Sequence, residues 1–451
     1  MPTVRAWILI GVSIRAVLAI LAGQAELQSD EAHYAWLGLS WERFGFLSDS
    51  QRFLWPPAYP YLHKLGFQLF QEEGIWALRS LQVLASGLTG WGVASLARRL
   101  VRPEAARWAA CLWAVHLPLA GYCTLGWPDS LFVALLLPGL CLLHDGTLDE
   151  SPKRLLLAGL LIGVSALFKE IGLHISILAI CWVFLHTIRR GAAVGPAPLT
   201  FALAVALPLA PWAARNLQHY GKPIPSGVTL GENLYQGWNS KDRNFDHLPL
   251  LRRHPTEGRP ALAPAAPFAL TGERGWDRPG GLTLLERDAA KRQGAFEWAG
   301  ANLGDLARSR VAKLAHMIAP TSFPVRHIAL GNYPGLLADR AISRPFIALA
   351  TLQAALLALL GAAALASCAP RHGLFWLPTA AFLSQPLLVG MSRLRVPLTP
   401  FLIIAVAALL TTSLDARRRR RAVIAGALTL GLIWVDLEST AWILGEAWRA
   451  G

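Results

Sequence analysis

The sequence predicts an all-α, polytopic membrane protein, and three observations carry that prediction. Hydrophobic residues make up 54% of the 451 positions and charged residues only 16%, too little polar surface for a water-soluble chain of this length. Apolar runs recur along the chain at close to bilayer-spanning length. The Lys and Arg residues between them fall in alternating loops. Lipid offers backbone groups no partner outside a helix or a closed barrel, and the length of these runs selects the helix.

About eleven spans fit the pattern. The first runs from Val4 to Ala22, long enough to be kept as a span even though Gly23 and Ala25 are small residues of the kind found at a cleavage point. Further runs cover Trp76 to Leu96, Ala105 to Tyr122, Leu131 to Leu143, Leu155 to Phe168, Leu173 to Ile188 and Pro198 to Ala214. After a long polar section come Phe346 to Ala366, Leu374 to Val389, Val396 to Leu414 and Ala422 to Leu444. Arg15 is costly inside the first span and is expected to face the bundle or a water-filled cavity.

Arg98, Arg99, Arg102, Arg107, Lys153, Arg154, Arg189, Arg190, Arg371 and the run Arg417 to Arg421 occupy one set of loops. By the positive-inside rule that set is cytoplasmic. The net charge of +14 then follows from topology and attraction to anionic lipid, and it does not call for a nucleic-acid partner. This orientation divides the chain into an N-terminal membrane module (1–215) with a first outer loop (23–75), a large outer section (216–343) and C-terminal membrane helices (344–451). Within the outer section, Pro255 to Gly281 reads as irregular loop and helical signals return from Leu282 to Ile318.

The first outer loop is the chemically suggestive stretch. Asp30 and Glu31 stand where the first span ends, and Tyr34, Leu37, Trp41 and Phe44 follow at helical spacing, a face for lipid or for the bundle. Ser29, Asp30 and Glu31 also suit a helix N-terminus as caps. The topology places other ionisable groups at the same outer ends: Asp129 in WPDS, Lys169 and Glu170 beside His174, Arg215 in PWAARN, and Arg393 and Arg395 in SRLRVPLTP. Cations gathered at one mouth can hold a phosphate at headgroup level, a carboxylate there can accept a proton, and apolar spans below can hold a lipid tail. Five scattered cysteines and 12 histidines show no zinc-ligand spacing.

The segments DEAHY, LWPPAYPYL, WPDSLF, LFKEIG, PWAARN with GKPIPSGVTLGENL, and SRLRVPLTP resemble, in order and spacing, the bacterial GT-C glycosyltransferases of the protein O-mannosyltransferase and lipid A aminoarabinose transferase type (glycosyltransferase family 39-like). The resemblance implies a GT-C fold and inverting transfer of a hexose or pentose from a polyprenyl-phosphate donor to an acceptor hydroxyl. It implies Asp30 as general base with Glu31 as its partner, and Asp129 as a second acid. It implies Lys169 and Arg215 on the donor phosphate, with Arg393 and Arg395 as further phosphate contacts. The donor it implies is a polyprenyl-phosphate-linked sugar and the acceptor a lipid, glycan or protein. The setting it implies is a bacterial inner membrane with the active site facing the periplasm. No cofactor is expected; some members of the wider superfamily use a divalent ion, for which Asp30, Glu31 and Asp129 could supply oxygen ligands, but that alternative is not favoured, since these ligands are few and cations occupy the same mouth. His33, Tyr34, Tyr59, Asn233, Tyr235 and Trp238 are candidate sugar or acceptor contacts, although aromatic packing explains the last two equally well. A transporter or flippase of a lipid-linked sugar, and a ligase using a lipid-linked oligosaccharide, are the alternatives; a transporter calls for internal repeats and mid-membrane charge.

Overall fold

A computed structural model of the chain describes residues 2–23, 27, 30–45, 54–190, 196–238, 284–333, 335–390 and 392–449. Ser29 of the expected cap and the expected loop from Pro255 to Gly281 lie outside the described residues. Among the described residues the fold is all helical, and the sole strand-like feature is an antiparallel bridge between Leu54 and Val228. The helices are α1 (Val4–Ala22), α2 (Asp30–Phe44), α3 (Ala58–Phe70), α4 (Gly74–Leu100), α5 (Pro103–Val115), α6 (Leu117–Gly121), α7 (Asp129–Leu148), α8 (Pro152–Ala166), α9 (Glu170–Arg189) and α10 (Pro196–Tyr220). Then follow α11 (Leu230–Trp238), α12 (Leu284–Ala301), α13 (Leu303–Ile318), α14 (Phe323–Ala329), α15 (Arg340–Ser367), α16 (Gly373–Leu383), α17 (Thr399–Thr411), α18 (Ala416–Val435) and α19 (Leu437–Arg449).

The helices mark a multi-pass membrane protein, but the expected count of eleven spans is not what they show. Among the described residues five helices, α1, α7, α9, α10 and α15, are long and apolar enough to cross a bilayer, with a sixth if α18 and α19 count as one span bent by 61°. The difference has local causes. The Ala105 to Tyr122 run breaks at His116, whose extended backbone separates α5 from α6. The Leu374 to Val389 run leaves the α-helix at Leu383 and continues as a 3-10 turn, Gln385–Leu387. Helices α5 and α17 have 13 residues each, about 20 Å at 1.5 Å per residue against a hydrocarbon core of about 30 Å. Helix α4 has the length, 27 residues, but Arg79, Gln82, Ser86 and Thr89 dilute its hydropathy, and all four turn inward.

Helix α7 is the axis of the bundle, buried along most of its length. Asp129 opens it, and near its other end Asp145 receives the fork of Arg99 at 2.7 and 2.6 Å. Those two carboxylates are about 24 Å apart along the helix, so Arg99, in the loop set expected to be cytoplasmic, lies at the opposite end from Asp129. Arg15 faces the bundle as expected: it donates to the carbonyls of Gly11 (2.9 Å) and Trp113 (3.1 Å) and stacks on Trp113. Helix α2 buries Tyr34, Leu37 and Trp41, so that face meets the bundle and not lipid. The outer segments are pinned to it by backbone bonds, Ala58 N–H to the Leu167 carbonyl (3.0 Å) and Val228 N–H to the Leu54 carbonyl (2.8 Å).

Small residues set the closest helix approach. Gly159 and Gly163, four apart on α8, lie directly against α10; a Cβ on Gly163 would sit 2.4 Å from the Val205 carbonyl oxygen. This is the small-xxx-small geometry that lets membrane helices pack by van der Waals contact. Gly163→Leu is therefore expected to force α8 from α10 and to lower the unfolding temperature of detergent-purified protein by several degrees, while Gly426→Leu, which meets open space, leaves it unchanged. Equal unfolding temperatures for both variants in a fluorescence melt would contradict this packing.

Candidate active site

Four of the charged residues singled out in the sequence meet at one point. Pro128 ends the WP turn and places Asp129 at the first position of α7; Lys169, in extended conformation, caps α9; Asp30 opens α2; Arg393 sits in the 3-10 turn Ser392–Arg395. Lys169 Nζ donates to Asp129 Oδ1 at 2.6 Å, Arg393 Nε to Asp129 Oδ2 at 3.2 Å, and Arg393 Nη1 to Asp30 Oδ2 at 2.5 Å. Arg393, late in the sequence, thus joins two carboxylates from its N-terminal third.

Burial separates the roles of the two acids. The Asp129 side chain is 0% exposed and that of Asp30 is 20% exposed. Asp129 is sealed beneath its two cations, whereas Asp30 retains an open edge. Burial by itself would lower the Arg393 guanidinium, but Asp129, Tyr34 and Asp30 outweigh it and hold Arg393 above its ordinary value. Burial also lowers the Lys169 ammonium, opposed by Asp129. Arg393 further stacks on Trp127, its Cζ 3.8 Å from the ring centroid, an arrangement that suits a planar, weakly hydrated cation.

The neighbouring polar residues brace this cluster. Glu31, one residue from Asp30, is buried and accepts a hydrogen bond from the Gly126 N–H, tying the first turn of α2 to the loop before Asp129. Tyr59 donates to Gln82 Oε1 at 2.8 Å, and Gln82 donates to the Leu125 carbonyl at 2.7 Å, which holds that loop from beneath. Tyr34 packs edge-on to Tyr59 with centroids 5.3 Å apart, and its own ionisation is pushed up by burial. His33 lies half-buried on α2.

Other expected site residues lie elsewhere. Arg215 donates to Asn216 Oδ1 at 2.8 Å and its Cζ lies 4.7 Å from the Trp212 ring centroid. Trp212 packs against Trp41, eleven residues along α2 from Asp30, about 16 Å by helical rise. Arg395 turns the other way, donating to the Ala319 carbonyl at 2.8 Å, and burial brings it down to about 10. Asn233 donates to Thr229 Oγ1 (3.0 Å), Trp238 Nε1 to the Leu387 carbonyl (2.7 Å), and Tyr235 is exposed on α11. Thr229, just before α11, bonds Glu170, so this helix starts beside Lys169 and ends against Leu387. His174 bonds within its own helix, to the Glu170 carbonyl. The residues that sequence reasoning passed over are Trp127, Gly126 and Gln82. Trp127 stands inside the quoted WPDS motif, whereas nothing in the local sequence marks Gln82.

Residues 55–214 match the family model described as dolichyl-phosphate-mannose-protein mannosyltransferase. The matched stretch contains Asp129 and Lys169; Asp30, Glu31, Arg215, Arg393 and Arg395 lie outside it. The likeness is therefore to GT-C glycosyltransferases of the mannosyltransferase type, as the order of motifs implies. A search of curated proteins returns no significant match. Among solved structures, ArnT from Cupriavidus metallidurans bound to undecaprenyl phosphate aligns over 98% of this chain and 74% of its own, at 14% identity and a TM-score of 0.44. The archaeal oligosaccharyltransferase AglB from Archaeoglobus fulgidus, in complex with an inhibitory peptide and a dolichol-phosphate, aligns over 98% of this chain and 56% of its own, at 15% identity and a TM-score of 0.44.

The cluster makes a stability prediction. Asp129→Ala leaves buried Lys169 without its carboxylate and Arg393 with Asp30 alone, and breaking a buried ion pair from one side costs on the order of 3–5 kcal/mol. Asp30→Asn changes a half-open group and costs far less. Thermal melts of the two purified variants should differ accordingly, and similar melts would deny Asp129 its sealed role.

Proposed function

We propose that the chain is an integral-membrane, inverting glycosyltransferase that moves a sugar from a polyprenyl-phosphate donor to an acceptor hydroxyl at the outer face of a bacterial inner membrane. The observation that carries the reading is the pair of unequal acids on one arginine: Asp129 sealed, Asp30 open, Arg393 between them. The family match over residues 55–214 supports glycosyl transfer at a membrane as the coarser statement.

In this reading the donor phosphodiester engages Arg393 and Lys169, the two cations that reach the same point. The phosphate competes with Asp30 for Arg393, and the released carboxylate turns to the acceptor. The acceptor oxygen then attacks the anomeric carbon from the face opposite the phosphate, its proton passes to Asp30, and the bond from that carbon to the phosphate oxygen breaks. Polyprenyl phosphate leaves with the electron pair and its new charge is held by the same two cations. Asp129 positions those cations and touches neither substrate. Glu31 positions Asp30 through Gly126. The phosphate role expected of Arg215 passes in this scheme to Arg393, and no step is assigned to a metal or cofactor.

Two outcomes test it, using protein in nanodiscs with radiolabelled polyprenyl-phosphate monosaccharides and membrane extract as acceptor. Asp30→Asn should lower turnover by about 10²- to 10⁴-fold, the range of a lost general base, with donor affinity no weaker than wild type, because the carboxylate that competes for Arg393 is gone. Lys169→Ala should weaken donor binding more than Arg215→Ala does. Normal turnover in folded Asp30→Asn protein would remove the base assignment. Donor movement between leaflets with no consumption in any acceptor extract would replace the transferase reading with a transporter.

A further inference from the structure

Tyr34 stands one helical turn from Asp30 on the same face of α2, and the proposed reaction gives it no task. Its hydroxyl is within hydrogen-bonding reach of the Arg393 guanidinium, and Asp30 and Asp129 both act on it electrostatically. The residue is 3% exposed. Its ring is fixed by two others, against Trp55 at 4.7 Å and edge-on to Tyr59 at 5.3 Å between centroids. Tyr59 is held in turn by Gln82. Ring packing alone would be served by phenylalanine; the hydroxyl adds a polar group whose burial has to be answered.

The chemistry of the contact fixes what that hydroxyl offers. A guanidinium has donors only, so in the bond with Arg393 the phenol oxygen accepts, and its own O–H remains to donate to an anion held by the same arginine. Burial, opposed by Arg393 and aided by Asp30, pushes the ionisation of Tyr34 up, so the phenol keeps its proton. On the proposed reaction the donor phosphate takes the place of the Asp30 carboxylate on Arg393. It thereby enters the reach of the Tyr34 hydroxyl. Arg393 and Lys169 meet the phosphate as charges, whereas Tyr34 meets it as a neutral donor whose bond strengthens as the phosphate gains charge.

We propose that the Tyr34 hydroxyl is a catalytic hydrogen-bond donor to the phosphate of the polyprenyl carrier, on the group held by Arg393 and Lys169, and that it binds the departing monoester more strongly than the incoming diester. The timing rests on the transferase reading; the contact itself needs only a lipid phosphate at these cations. As the bond from the anomeric carbon to the phosphate oxygen breaks, the electron pair stays on that oxygen and the acceptor proton goes to Asp30. Tyr34 keeps its own proton and gives a hydrogen bond only. An interaction that tightens while charge develops lowers the barrier as well as the dissociation constant. Tyr34 thereby moves from the sugar and acceptor contacts, among which the sequence resemblance placed it, to the leaving group.

The test uses full-length protein in nanodiscs, with Tyr34→Phe and with 3-fluorotyrosine in place of Tyr34. Phenylalanine keeps the ring that packs on Trp55 and Tyr59. Fluorine makes the phenol a better donor and a poorer acceptor, so its effect has opposite signs for a hydroxyl that donates to phosphate and for one that only accepts from Arg393. Titration with polyprenyl phosphate requires no turnover. It should show affinity about tenfold weaker in Tyr34→Phe, the loss of one hydrogen bond to a charged group, and tighter than wild type with 3-fluorotyrosine. The sugar-bearing donor should lose less affinity than free polyprenyl phosphate, because a diester carries less charge than a monoester, and turnover should fall. Polyprenyl phosphate affinity that is unchanged in Tyr34→Phe, or weakened by fluorine, overturns the role even where wild-type protein consumes donor. A raised acceptor KM with unchanged polyprenyl phosphate affinity also overturns it and returns Tyr34 to the acceptor. If polyprenyl phosphate binding depends on Tyr34 with the expected signs while no donor is consumed, the contact stands and the transferase reading falls.

Discussion

A single guanidinium, that of Arg393, is shared between two carboxylates 363 and 264 residues away in sequence. For both bonds to form, the first turn of α2, the first turn of α7 and the late turn Ser392–Arg395 must arrive together at one end of the bundle. Lys169 adds a fourth element, the N-terminus of α9. Ions taken out of water recover their desolvation cost only when geometry and hydrogen bonding are complete. The cluster therefore tolerates little displacement in any of the four elements, and much of the surrounding structure reads as the means of holding them still.

The strongest such device is Arg310 on α13. Its Nη1 donates to three successive carbonyls, Pro386 (3.0 Å), Leu387 (2.9 Å) and Leu388 (3.1 Å), and its Nη2 to the Gly237 carbonyl. Trp238 Nε1 reaches the same Leu387 carbonyl. The segment leading into the Arg393 turn is thus fastened to α11 and α13, elements of the large outer section. On the opposite side Glu31 and Gln82 secure the loop of Gly126 and Leu125. Arg393 is braced from the outer section and Asp129 from the first loop, so the site is assembled from both halves of the molecule.

Hydropathy and the alternation of basic loops made the helical class legible, and Asp30, Asp129, Lys169 and Arg393 were legible because that alternation puts acids and cations together on the side opposite the basic loops. Span count was less legible, since a hydropathy run does not reveal that His116 adopts extended backbone or that α18 and α19 meet at 61°. Grouping was also beyond the sequence. Arg393 and Arg395 are two apart in one turn, yet one faces Asp30 and the other Ala319; Arg215 ends a span like Lys169 but rests among Trp212, Tyr220 and Asn216. Which way a long cation reaches is decided by carbonyls and rings from distant segments, and a one-dimensional pattern holds no record of them.

The two ends of α7 hold their charges in different ways. At the Asp145 end one carboxylate is met by both arms of Arg99 and by His144, so that both of its oxygens already have partners. At the Asp129 end two carboxylates face two cations, so the empty site is neutral, with Asp129 shared between Lys169 and Arg393 and Arg393 shared between Asp129 and Asp30. On the proposed reaction the donor enters as a phosphodiester monoanion and leaves as a monoester that gains a negative charge, while Asp30 loses one by taking the acceptor proton. The total charge at the mouth is the same before and after transfer. A cluster buried at the edge of a low-dielectric bundle can then hold both ends of the reaction without admitting a counter-ion, since the charge that leaves Asp30 reappears on the phosphate facing the same arginine.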